Sequence, residues 1–483
     1  MNENTFSEFR SFINNKSVAI LGVGISNRPI IRFLYALGAN ISAFDRLDSD
    51  DSVLTKTRSD FESEGIFIKW HTGESYLEQL SQGEYDLVFK TPKFRADSTE
   101  LTALRQKGSI LTSEMEVFMT LCPARIIAVT GSDGKTTTTT LIAKILEAQG
   151  HTVHLGGNIG TPLLDRIDQI LPTDFVVLEL SSFQLMTITQ RCNVAVITNI
   201  SPNHLDFHAD YREYIESKKN IFRNQTIFDR LVINADNELT NKFIGLQKGS
   251  LTCFSLTNNI SLRSMPSSES MVFLENNRIY VRSALCTEEI MSADDILIPG
   301  RHNVDNMLAA IGATHSFVDK KAIIHVARTF PGVEHRIELV ACINNRRFYN
   351  SSIDTSPNRT INTMNALSTR SERGVLIAGG EDKKCGYAGL GNAIEKVCHS
   401  VVLYGDNAAM VREILIVECG PNTLTILDAN SYDDAIRKAY QLSAEGDVIV
   451  LSPTGTSYDH FRHFEERGNL FKELVNRFSE EFQ

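Results

Sequence analysis

The sequence predicts an α/β protein with largely parallel sheets. Short apolar runs rich in β-branched residues alternate along the chain with stretches of helical periodicity. The length of 483 residues suggests about three domains, at roughly 150 residues for each. Successive groups of strand and helix signals, with Pro331-Gly332 at the start of the third, lead us to expect domains that cover residues 1–116, 117–330 and 331–483.

Ten short apolar runs, each bounded by glycine or polar residues, predict buried strands. They are residues 18–21, 41–44, 86–89 and 109–111 in the first section, 125–129, 175–180 and 194–198 in the second, and 374–378, 400–403 and 448–451 in the third. Helical periodicity follows most of these runs. Strand and helix alternation of this kind favours parallel strands covered by helices on both faces.

The composition excludes several classes of protein. Apolar residues make up 42% and charged residues 22% of the chain, which is typical of a globular protein. The formal net charge of −11 argues against nucleic acid or acidic membrane as a partner. No apolar run approaches the ~18 residues that span a bilayer. The N-terminal residues lack the pattern of a secretory signal, and the eight cysteines contain no C-x-x-C pair. We therefore expect a cytoplasmic protein with reduced thiols. We also expect a monomer, although the composition does not determine the oligomeric state.

A phosphate-binding loop is predicted where the run 125–129 leads directly into Thr130-Gly-Ser-Asp-Gly-Lys-Thr-Thr137 and then into a helix. A glycine loop between strand and helix directs backbone N–H groups at an anion. Val129 occupies the first glycine position of the G-x-x-x-x-G-K-[ST] pattern, so the alternative is an accidental match in a plain turn. The structural context favours ATP binding by Gly131, Ser132, Asp133, Gly134, Lys135, Thr136 and Thr137.

A second glycine turn, Gly22-Val-Gly24-Ile25-Ser26-Asn27, follows the first predicted strand, and Asp45 ends the next strand. Asn27 stands at the third glycine position of the dinucleotide fingerprint, which is therefore broken. The pattern leaves two interpretations open. The turn either binds a nucleotide of some kind or only allows close packing of helix and strand.

Metal-capable side chains follow two strands of the second section. Glu179 ends the predicted strand 175–180, and His204 lies in the loop after the strand 194–198. Alone, Glu179 could be a core acid paired with a base, and His204 an ordinary loop histidine. Two such side chains beside a phosphate loop favour a Mg²⁺ site. Lys218 lies on the following helix, and nothing in the composition distinguishes it from Lys219.

Taken together, these motifs resemble the Mur ligases, the ATP-dependent amide-forming enzymes of peptidoglycan precursor synthesis. The resemblance rests on motifs that recur in the family's order along almost the whole chain: TGSDGKTTT (130–138), GGNIGTP (156–162), LELSSFQL (178–185), NISPNHLDFH (199–208), GRHNVDN (300–306), PGVEHR (331–336) and GGEDK (379–383). Residues 178–185 and 451–468 are most similar to the branch that adds D-glutamate.

The resemblance implies Rossmann-like first and third domains and a central ATPase domain with a phosphate loop. It implies that Lys135 and Thr136 hold ATP phosphates and Mg²⁺, with Glu179 as a ligand of the first of two metal ions. His204 would bind the second ion, supported by Lys218 after its conversion to a carbamate. Positions around the adenine and ribose would be Asn303, Asn306, His335 and Arg336.

The resemblance also implies the two remaining substrate sites. The UDP-sugar would lie against residues of the first domain and one asparagine of the second: Gly24, Ile25, Ser26, Asp45, Arg46, Thr91 and Asn158. D-Glutamate would lie against residues of the third domain: Thr355, Lys383, Ser457 and Phe464. The broken glycine turn would then serve a UDP group and not a dinucleotide.

Three segments depart from the family pattern. Ser351 replaces an acid and Asp354 adds one in Asn350-Ser-Ser-Ile-Asp-Thr355, where N-D-S-x-A-T is common. Thr91-Pro-Lys93-Phe stands where S-P-G-I is usual, and Asn27 stands in a turn that commonly holds small residues. We expect the carboxylate of Asp354 to be turned away from the D-glutamate site or neutralised by a neighbour.

The implied reaction joins D-glutamate to a UDP-N-acetylmuramoyl-L-alanine carboxylate activated by ATP as an acyl phosphate. An alternative is another amino-acid ligase of the Mur or folylpolyglutamate type, although the chain lacks the D-N-P-R motif of the branches that add lysine or diaminopimelate. A P-loop ATPase acting as a switch and a nicotinamide oxidoreductase are the alternatives from other classes. The broken glycine turn and the phosphate loop count against the oxidoreductase.

Overall fold

The structure is a computed structural model that describes residues 4–24, 27–92, 94–203, 207–257, 269–368, 371–383 and 385–481. These residues form three separate sheets covered by helices, which confirms the predicted α/β class. All ten predicted runs form strands, with bounds that shift by at most a residue or two at an end. Among the described residues, no helix is long and apolar enough to cross a membrane.

The first sheet has five parallel strands in the order β3-β2-β1-β4-β5. The strands are β1 (Ser17–Leu21), β2 (Asn40–Asp45), β3 (Lys69–Thr72), β4 (Leu87–Lys90) and β5 (Ile110–Thr112). The helices are α1 (Asn4–Ile13), α2 (Asn27–Ala36), α3 (Ser52–Ser63), α4 (Tyr76–Gln82), α5 (Thr99–Gln106) and α6 (Glu114–Leu121). The strand order reverses between β1 and β4, so a crevice is expected at their carboxyl ends.

The second sheet has nine strands in the order β14-β13-β12-β11-β10-β9-β6-β8-β7. The strands are β6 (Arg125–Thr130), β7 (Val153–Gly157), β8 (Phe175–Glu179), β9 (Val194–Ile197), β10 (Arg230–Asn234), β11 (Ser250–Ser255), β12 (Glu269–Glu275), β13 (Arg278–Ser283) and β14 (Thr287–Ser292). The helices are α7 (Lys135–Ala148), α8 (Ser182–Leu185), α9 (Tyr211–Arg223), α10 (Glu238–Asn241), α11 (Arg301–Thr314) and α12 (Lys320–Thr329), with short 3₁₀ helices at Leu164–Gln169 and Ala293–Asp295. The strands from β7 to β12 pair in parallel, whereas β12 and β13 are antiparallel.

The third sheet has six strands in the order β15-β16-β20-β17-β18-β19, and all of its pairs are parallel except β15 with β16. The strands are β15 (Glu338–Ile343), β16 (Arg346–Asn350), β17 (Gly374–Ala378), β18 (Cys398–Leu403), β19 (Thr425–Asp428) and β20 (Val448–Leu451). The helices are α13 (Pro357–Ser368), α14 (Leu390–Glu395), α15 (Ala408–Cys419), α16 (Tyr432–Leu442) and α17 (Phe464–Glu480). Here the order reverses between β17 and β20, which places the expected crevice at their carboxyl ends.

The chain forms two compact units. Unit 1 is Met1–Met291 with Asn306–Ile323, and unit 2 is Ser292–Asp305 with Ile324–Gln483. The first two sheets share unit 1 because one apolar core runs through both, with Phe118 of α6 and Leu164 of the first 3₁₀ helix among its members. Unit 2 holds the third sheet, with separate apolar clusters on its two faces. The division into three domains at residues 116 and 330 remains a prediction.

Candidate active site

The phosphate loop connects β6, an inner strand of the second sheet between β9 and β8, to α7. Gly134 is the N-cap of α7 and has a φ of 77°, a left-handed conformation that favours glycine. A Cβ atom at Gly131 would clash with the side chain of Thr198, and one at Gly134 would clash with the side chain of Asn306. The backbone of the loop is thus closely backed by other residues. This tight turn before a helix N-terminus fits a nucleotide phosphate.

Lys135 and Thr136 form the first turn of α7. The Nζ atom of Lys135 donates hydrogen bonds to the carbonyl oxygens of Gly131 (3.0 Å) and Ser132 (2.9 Å). The ammonium group therefore lies against the loop, where it can exchange carbonyl oxygens for the more strongly attracting phosphate oxygens. The side chain of Thr136, in the same turn, is suited to a metal ion bound to those phosphates.

Glu179 ends β8 directly beside Val129 of β6 and is only 1% exposed. Its Oε1 atom accepts a hydrogen bond from Nδ2 of Asn158 (2.8 Å), whereas its Oε2 atom has no hydrogen-bond partner among the residues that the structure describes. A buried carboxylate oxygen without a partner is costly unless a cation compensates it.

Glu179 and Thr136 fit Mg²⁺, which binds oxygen ligands and usually takes several of them from substrate phosphates and water. In the part of the chain that the structure describes, no three His, Cys, Asp or Glu side chains form a metal cluster. His204, the predicted ligand of a second ion, lies outside the described residues, as do Ile25, Ser26 and Lys93.

Lys218 lies on α9 with 1% of its surface exposed, and its Nζ atom donates a hydrogen bond to the carbonyl oxygen of Gly131 (2.8 Å). The same Nζ atom lies 4.7 Å from the ring centre of Tyr214. Burial, together with the charge of Lys135, lowers the pKa of Lys218 to about 7. Lys219 instead pairs with Glu216 (2.7 Å). The structure therefore separates the two lysines that the composition did not, and Lys218 is the one at the phosphate loop.

The predicted UDP-sugar residues of the first domain lie at the carboxyl edge of the first sheet. Gly24, Asp45 and Thr91 follow or end β1, β2 and β4, the strands at the reversal of strand order. Asp45 holds the glycine turn, because its carboxylate accepts a hydrogen bond from the backbone N–H of Val23 (2.7 Å). Arg46 is exposed next to it. These residues therefore lie at the edge of the sheet where a crevice is expected, and their role at a sugar nucleotide remains a prediction.

The predicted D-glutamate residues lie at the corresponding edge of the third sheet. Thr355, Lys383 and Ser457 follow β16, β17 and β20, three neighbouring strands. The loops after β17 and β20 are joined by two backbone hydrogen bonds between Glu381 and Thr456 (3.0 and 2.9 Å). Phe464 begins α17, next to these loops in sequence. Lys383 is exposed and Ser457 is buried. The structure thus brings three of the four residues to neighbouring strand ends.

The sequence matches the descriptions of the Mur ligase middle domain over residues 129–314 and of the Mur ligase glutamate ligase domain over residues 335–455. The chain is 48% identical over 474 residues to a UDP-N-acetylmuramoylalanine–D-glutamate ligase from Acetivibrio thermocellus, covering 97% of this chain and 98% of the relative. A relative of the same name from Ruminiclostridium cellulolyticum is 46% identical, with coverage of 98% and 99%. The chain belongs to the Mur ligase family.

Solved structures of Mur ligases share its fold at low sequence identity. The crystal structure of UDP-N-acetylmuramate–alanine ligase from Thermotoga maritima matches with a TM-score of 0.55 at 18% identity, over 97% of this chain and 100% of that chain. A UDP-N-acetylmuramoyl-L-alanyl-D-glutamate–2,6-diaminopimelate ligase matches equally well, with a TM-score of 0.55 at 18% identity over 97% and 94%. The predicted resemblance and the predicted fold class are both confirmed.

The residues predicted around the adenine and ribose of this Mur ligase fall in both units. Asn306 belongs to unit 1, where its Oδ1 atom accepts a hydrogen bond from the hydroxyl of Thr138 (3.3 Å). Asn303, His335 and Arg336 belong to unit 2. The backbone N–H of His335 donates to Oε2 of Glu338 (2.9 Å), and burial lowers the pKa of His335. Their common role at the nucleotide remains a prediction.

The departure at Asn27 has a local structural reason. Asn27 is 3% exposed at the start of α2, and its Nδ2 atom donates hydrogen bonds to the carbonyl oxygens of Leu21 (3.2 Å) and Gly22 (2.7 Å). The side chain therefore satisfies carbonyl groups of the turn. The asparagine at the third glycine position therefore stabilises the turn through these two hydrogen bonds.

The carboxylate of Asp354, the acid that departs from the family pattern, is held by hydroxyl groups. Asp354 is 4% exposed, and its Oδ2 atom accepts hydrogen bonds from the hydroxyls of Thr363 and Ser452 (both 2.7 Å). Burial raises the pKa of this carboxyl group. Ser351 is fully buried, and its hydroxyl lies 3.4 Å from that of Thr363. Asp354 is therefore part of a buried network of hydroxyl groups that joins the β16 loop, α13 and the β20 loop.

Arg467 is a residue whose role the sequence did not indicate. It lies in the first turns of α17 with 0% exposure. Its guanidinium donates hydrogen bonds to the hydroxyl (3.0 Å) and carbonyl oxygen (2.9 Å) of Ser352 and to the carbonyl oxygen of Thr456 (3.1 Å). One side chain thus ties together the loops that carry Thr355 and Ser457. The signal was weak, because an arginine in a helix otherwise rich in charges predicts an exposed residue.

Proposed function

We propose that this Mur ligase adds D-glutamate to UDP-N-acetylmuramoyl-L-alanine at the expense of ATP, in peptidoglycan precursor synthesis. The observation that carries the proposal is the 48% identity over 97% of the chain to a relative named for this reaction. The identity extends through the third domain, where the amino acid is selected. The phosphate loop, Glu179 and Lys218 supply the groups that an ATP-dependent ligase needs.

The first step activates an unreactive carboxylate. The lactoyl-L-alanine carboxylate attacks the γ-phosphate of ATP, which yields an acyl phosphate and ADP. Lys135 and the N–H groups of the loop bind and orient the phosphates, since phosphoryl transfer depends mainly on positioning and on stabilisation of charge. Mg²⁺, when held by Thr136 and Glu179, neutralises part of the phosphate charge.

The second step forms the amide bond. The amine of D-glutamate attacks the acyl phosphate carbonyl, and inorganic phosphate leaves. The β16, β17 and β20 loops bind D-glutamate: Lys383 provides a positive charge for a carboxylate, and Thr355 and Ser457 provide hydroxyl donors. Phe464 packs against the aliphatic stem of the substrate. Exclusion of water by these groups protects the acyl phosphate from hydrolysis.

Lys218 acts in this scheme as a carbamate. Carbamate formation begins from a neutral amine, and the lowered pKa of about 7 makes this form available near neutral pH. The product is an anion, which supports the second Mg²⁺ with His204, whereas an ammonium would repel it. Incubation with ¹³C-labelled bicarbonate should give one carbamate NMR signal that Lys218→Ala removes and Lys219→Ala retains. A signal lost in Lys219→Ala would contradict this assignment.

The whole proposal is tested by ADP formation with purified full-length protein. We expect turnover only when UDP-N-acetylmuramoyl-L-alanine, D-glutamate, ATP and Mg²⁺ are all present. L-Glutamate, L-alanine, L-lysine and meso-diaminopimelate should fail to replace D-glutamate. Efficient use of a basic or neutral amino acid would refute the D-glutamate assignment and leave the ligase class standing. ADP formation without any acceptor would instead favour an ATPase.

The proposed compartment and assembly follow from the reaction. ATP and the UDP-sugar are cytoplasmic substrates, so we place the enzyme in the cytoplasm. The three substrate sites are all proposed from residues of one chain, and we therefore expect a monomer. Light scattering in solution should give the mass of a single chain of 53.9 kDa. A stable dimer in this measurement would contradict the expected monomer.

A further inference from the structure

Arg95 links the first sheet to the helix that carries Lys218. It lies in the loop after β4, four residues beyond Thr91, and is partly buried. Its guanidinium donates to both carboxylate oxygens of Glu213 on α9 (2.9 and 3.0 Å) and to the carbonyl oxygen of Phe207 (3.1 Å). It also pairs with Asp97 on its exposed side (2.8 and 2.9 Å). A planar guanidinium can serve all these acceptors at once, which a lysine cannot.

Glu213 carries this link into the segment that precedes α9. Its Oε2 atom accepts a hydrogen bond from the backbone N–H of Ala209 (2.8 Å) and lies 3.4 Å from Nδ1 of His208. The guanidinium of Arg95 lowers the pKa of Glu213 to about 2, so this carboxylate stays charged at neutral pH. Arg95 and Glu213 together therefore hold residues 207–209, which directly follow His204-Leu205-Asp206 in the sequence.

His208 extends the network toward the metal residues. Its side chain is fully buried, and its Nε2 atom lies 3.0 Å from the hydroxyl of Ser182, three residues after Glu179. The ring stacks on Phe183, with centroids 5.7 Å apart, and meets Tyr214 edge-on at 5.4 Å. The hydroxyl of Tyr214 lies 2.7 Å from that of Ser132 in the phosphate loop. Every contact of this network lies within unit 1.

We propose that Arg95 is a positioning residue that couples binding of the sugar nucleotide at the β4 loop to binding of Mg²⁺ and nucleotide at the phosphate loop. This inference rests on the proposed function for the identity of the two ligands. The β4 loop contributes Thr91 to the first site, and four residues later Arg95 anchors the segment between His204 and Lys218. A ligand bound at Thr91 therefore acts on the loop that carries Arg95, whose contacts with Glu213 and Phe207 transmit the effect to residues 207–209. Coupling of this kind is reciprocal, because each ligand must strengthen the other by the same factor.

The test measures binding without turnover. Titration calorimetry with the full-length protein gives the affinity for the Mg²⁺ complex of a non-hydrolysable ATP analogue, with and without saturating UDP-N-acetylmuramoyl-L-alanine. We expect the sugar nucleotide to raise this affinity in the wild type by a factor within roughly 5- to 150-fold, the usual range of coupling between sites. Arg95→Ala and Arg95→Lys should bring the factor close to one.

Matched variants identify the cause. Arg105→Ala removes an exposed arginine of α5 in the same domain, and Asp97→Asn removes only the outer partner of Arg95. Both should keep the wild-type factor, whereas Glu213→Gln should lose most of it. In steady-state assays, Arg95→Ala should lower kcat and raise the KM for the sugar nucleotide, with the KM for D-glutamate changed by less than about twofold.

The outcomes separate the two proposals. A wild-type coupling factor in Arg95→Lys and Glu213→Gln would overturn the positioning role, and so would an uncoupled wild type. If Arg95→Ala does not fold, those two milder variants decide the question. Loss of coupling in them, together with wild-type stability, supports the role. A wild type that binds and couples both ligands but forms no ADP with D-glutamate would instead refute the proposed reaction.

Discussion

At the scale of single residues, the role that we propose for Lys135 is to supply charge to the phosphates, with little contribution to the fold. Its ammonium donates hydrogen bonds to two carbonyl oxygens of its own loop. Lys135→Ala should therefore abolish ADP formation while circular dichroism and the melting temperature remain near those of the wild type. Lys144→Ala on the same helix, which removes an exposed pair with Glu147, is the control and should be active. Near-normal turnover in folded Lys135→Ala would contradict the phosphate-loop assignment.

Lys218 and Lys219 differ in burial although they are neighbours on α9. Lys218→Arg should be nearly inactive, because a guanidinium keeps the positive charge and cannot form the carbamate. Lys219→Ala removes a surface pair with Glu216, a kind of interaction worth about 1 kcal/mol or less, and should keep most activity. Steady-state rates for both variants give the comparison. If Lys219 proved essential and Lys218 dispensable, the assignment of Lys218 to the phosphate loop would be wrong.

Lys383 should determine the affinity for D-glutamate. A charge-assisted hydrogen bond is worth roughly 1.5–3 kcal/mol, so Lys383→Ala should raise the KM for D-glutamate by about ten- to a hundredfold. The KM for ATP should stay near the wild-type value. Lys396→Ala, a lysine elsewhere in the same unit, serves as the control. An unchanged KM for D-glutamate would remove Lys383 from the substrate site.

At the scale of elements, α17 holds the loops of the third sheet through Arg467 and lies next to the loop that carries Ser457, a predicted D-glutamate residue. Arg467→Met leaves the carbonyl oxygen of Ser352 without the guanidinium that donates to it and removes the hydrogen bond from this side chain to Thr456. Loss of a buried network of this kind costs about 3 kcal/mol or more. Hydrogen exchange measured at increasing urea concentrations should give a lower free energy of opening for peptides of β16 and β20 in Arg467→Met than in the wild type.

The control for that measurement lies on the same helix. Arg477 is exposed and pairs with Glu473 one turn away (2.7 Å). Arg477→Met should change the free energy of unfolding by about 0.5 kcal/mol or less. Equal effects of the two substitutions would show that the guanidinium of Arg467 contributes no more than a surface pair.

The strands show which elements a sequence predicts well. β1, β6, β8 and β17 are continuous apolar runs because both faces of each strand are covered. Of the twenty strands in the described residues, ten were not predicted, and β3 and β19 are two of these. Both are edge strands, and the sequences Lys-Trp-His-Thr and Thr-Ile-Leu-Asp are only partly buried. A strand at an edge needs little apolar surface, so its residues resemble those of a loop.

At the scale of the whole molecule, ligand binding should stabilise the first sheet. Trp70, the single tryptophan, lies in β3 and stacks near Phe61. Its fluorescence therefore reports unfolding of this sheet. UDP-N-acetylmuramoyl-L-alanine at a hundred times its Kd should stabilise the native state by about 2.7 kcal/mol and raise the midpoint of the fluorescence transition.

Removal of metal distinguishes the two nucleotide sites. EDTA should abolish the stabilisation by an ATP analogue, whose phosphates need Mg²⁺ beside Glu179. The same treatment should leave the effect of the sugar nucleotide largely intact, because its predicted site uses Gly24, Asp45 and Thr91 of the first sheet. Equal loss of both effects would contradict this separation of sites.

Local patterns in the sequence determined the fold class, the phosphate loop and the family. Buried strands, a glycine loop between strand and helix, and motifs of several consecutive residues are properties of neighbours along the chain. For this reason the sequence alone indicates Lys135, Glu179 and the strand ends of the third domain. The net charge and the lack of a long apolar run also follow directly from the amino-acid sequence.

Tertiary structure alone decided where the carboxylate of Asp354 lies and what Arg467 and Arg95 hold, and it gave the physical reason why Lys218, which the family resemblance indicated, reaches the phosphate loop while Lys219 does not. Each of these depends on groups that are distant in sequence. The carbonyl oxygen of Gly131 lies 87 positions from Lys218, and Glu213 lies 118 positions from Arg95. The free energy of a buried charge is set by the partners around it in space, and a linear pattern does not record them.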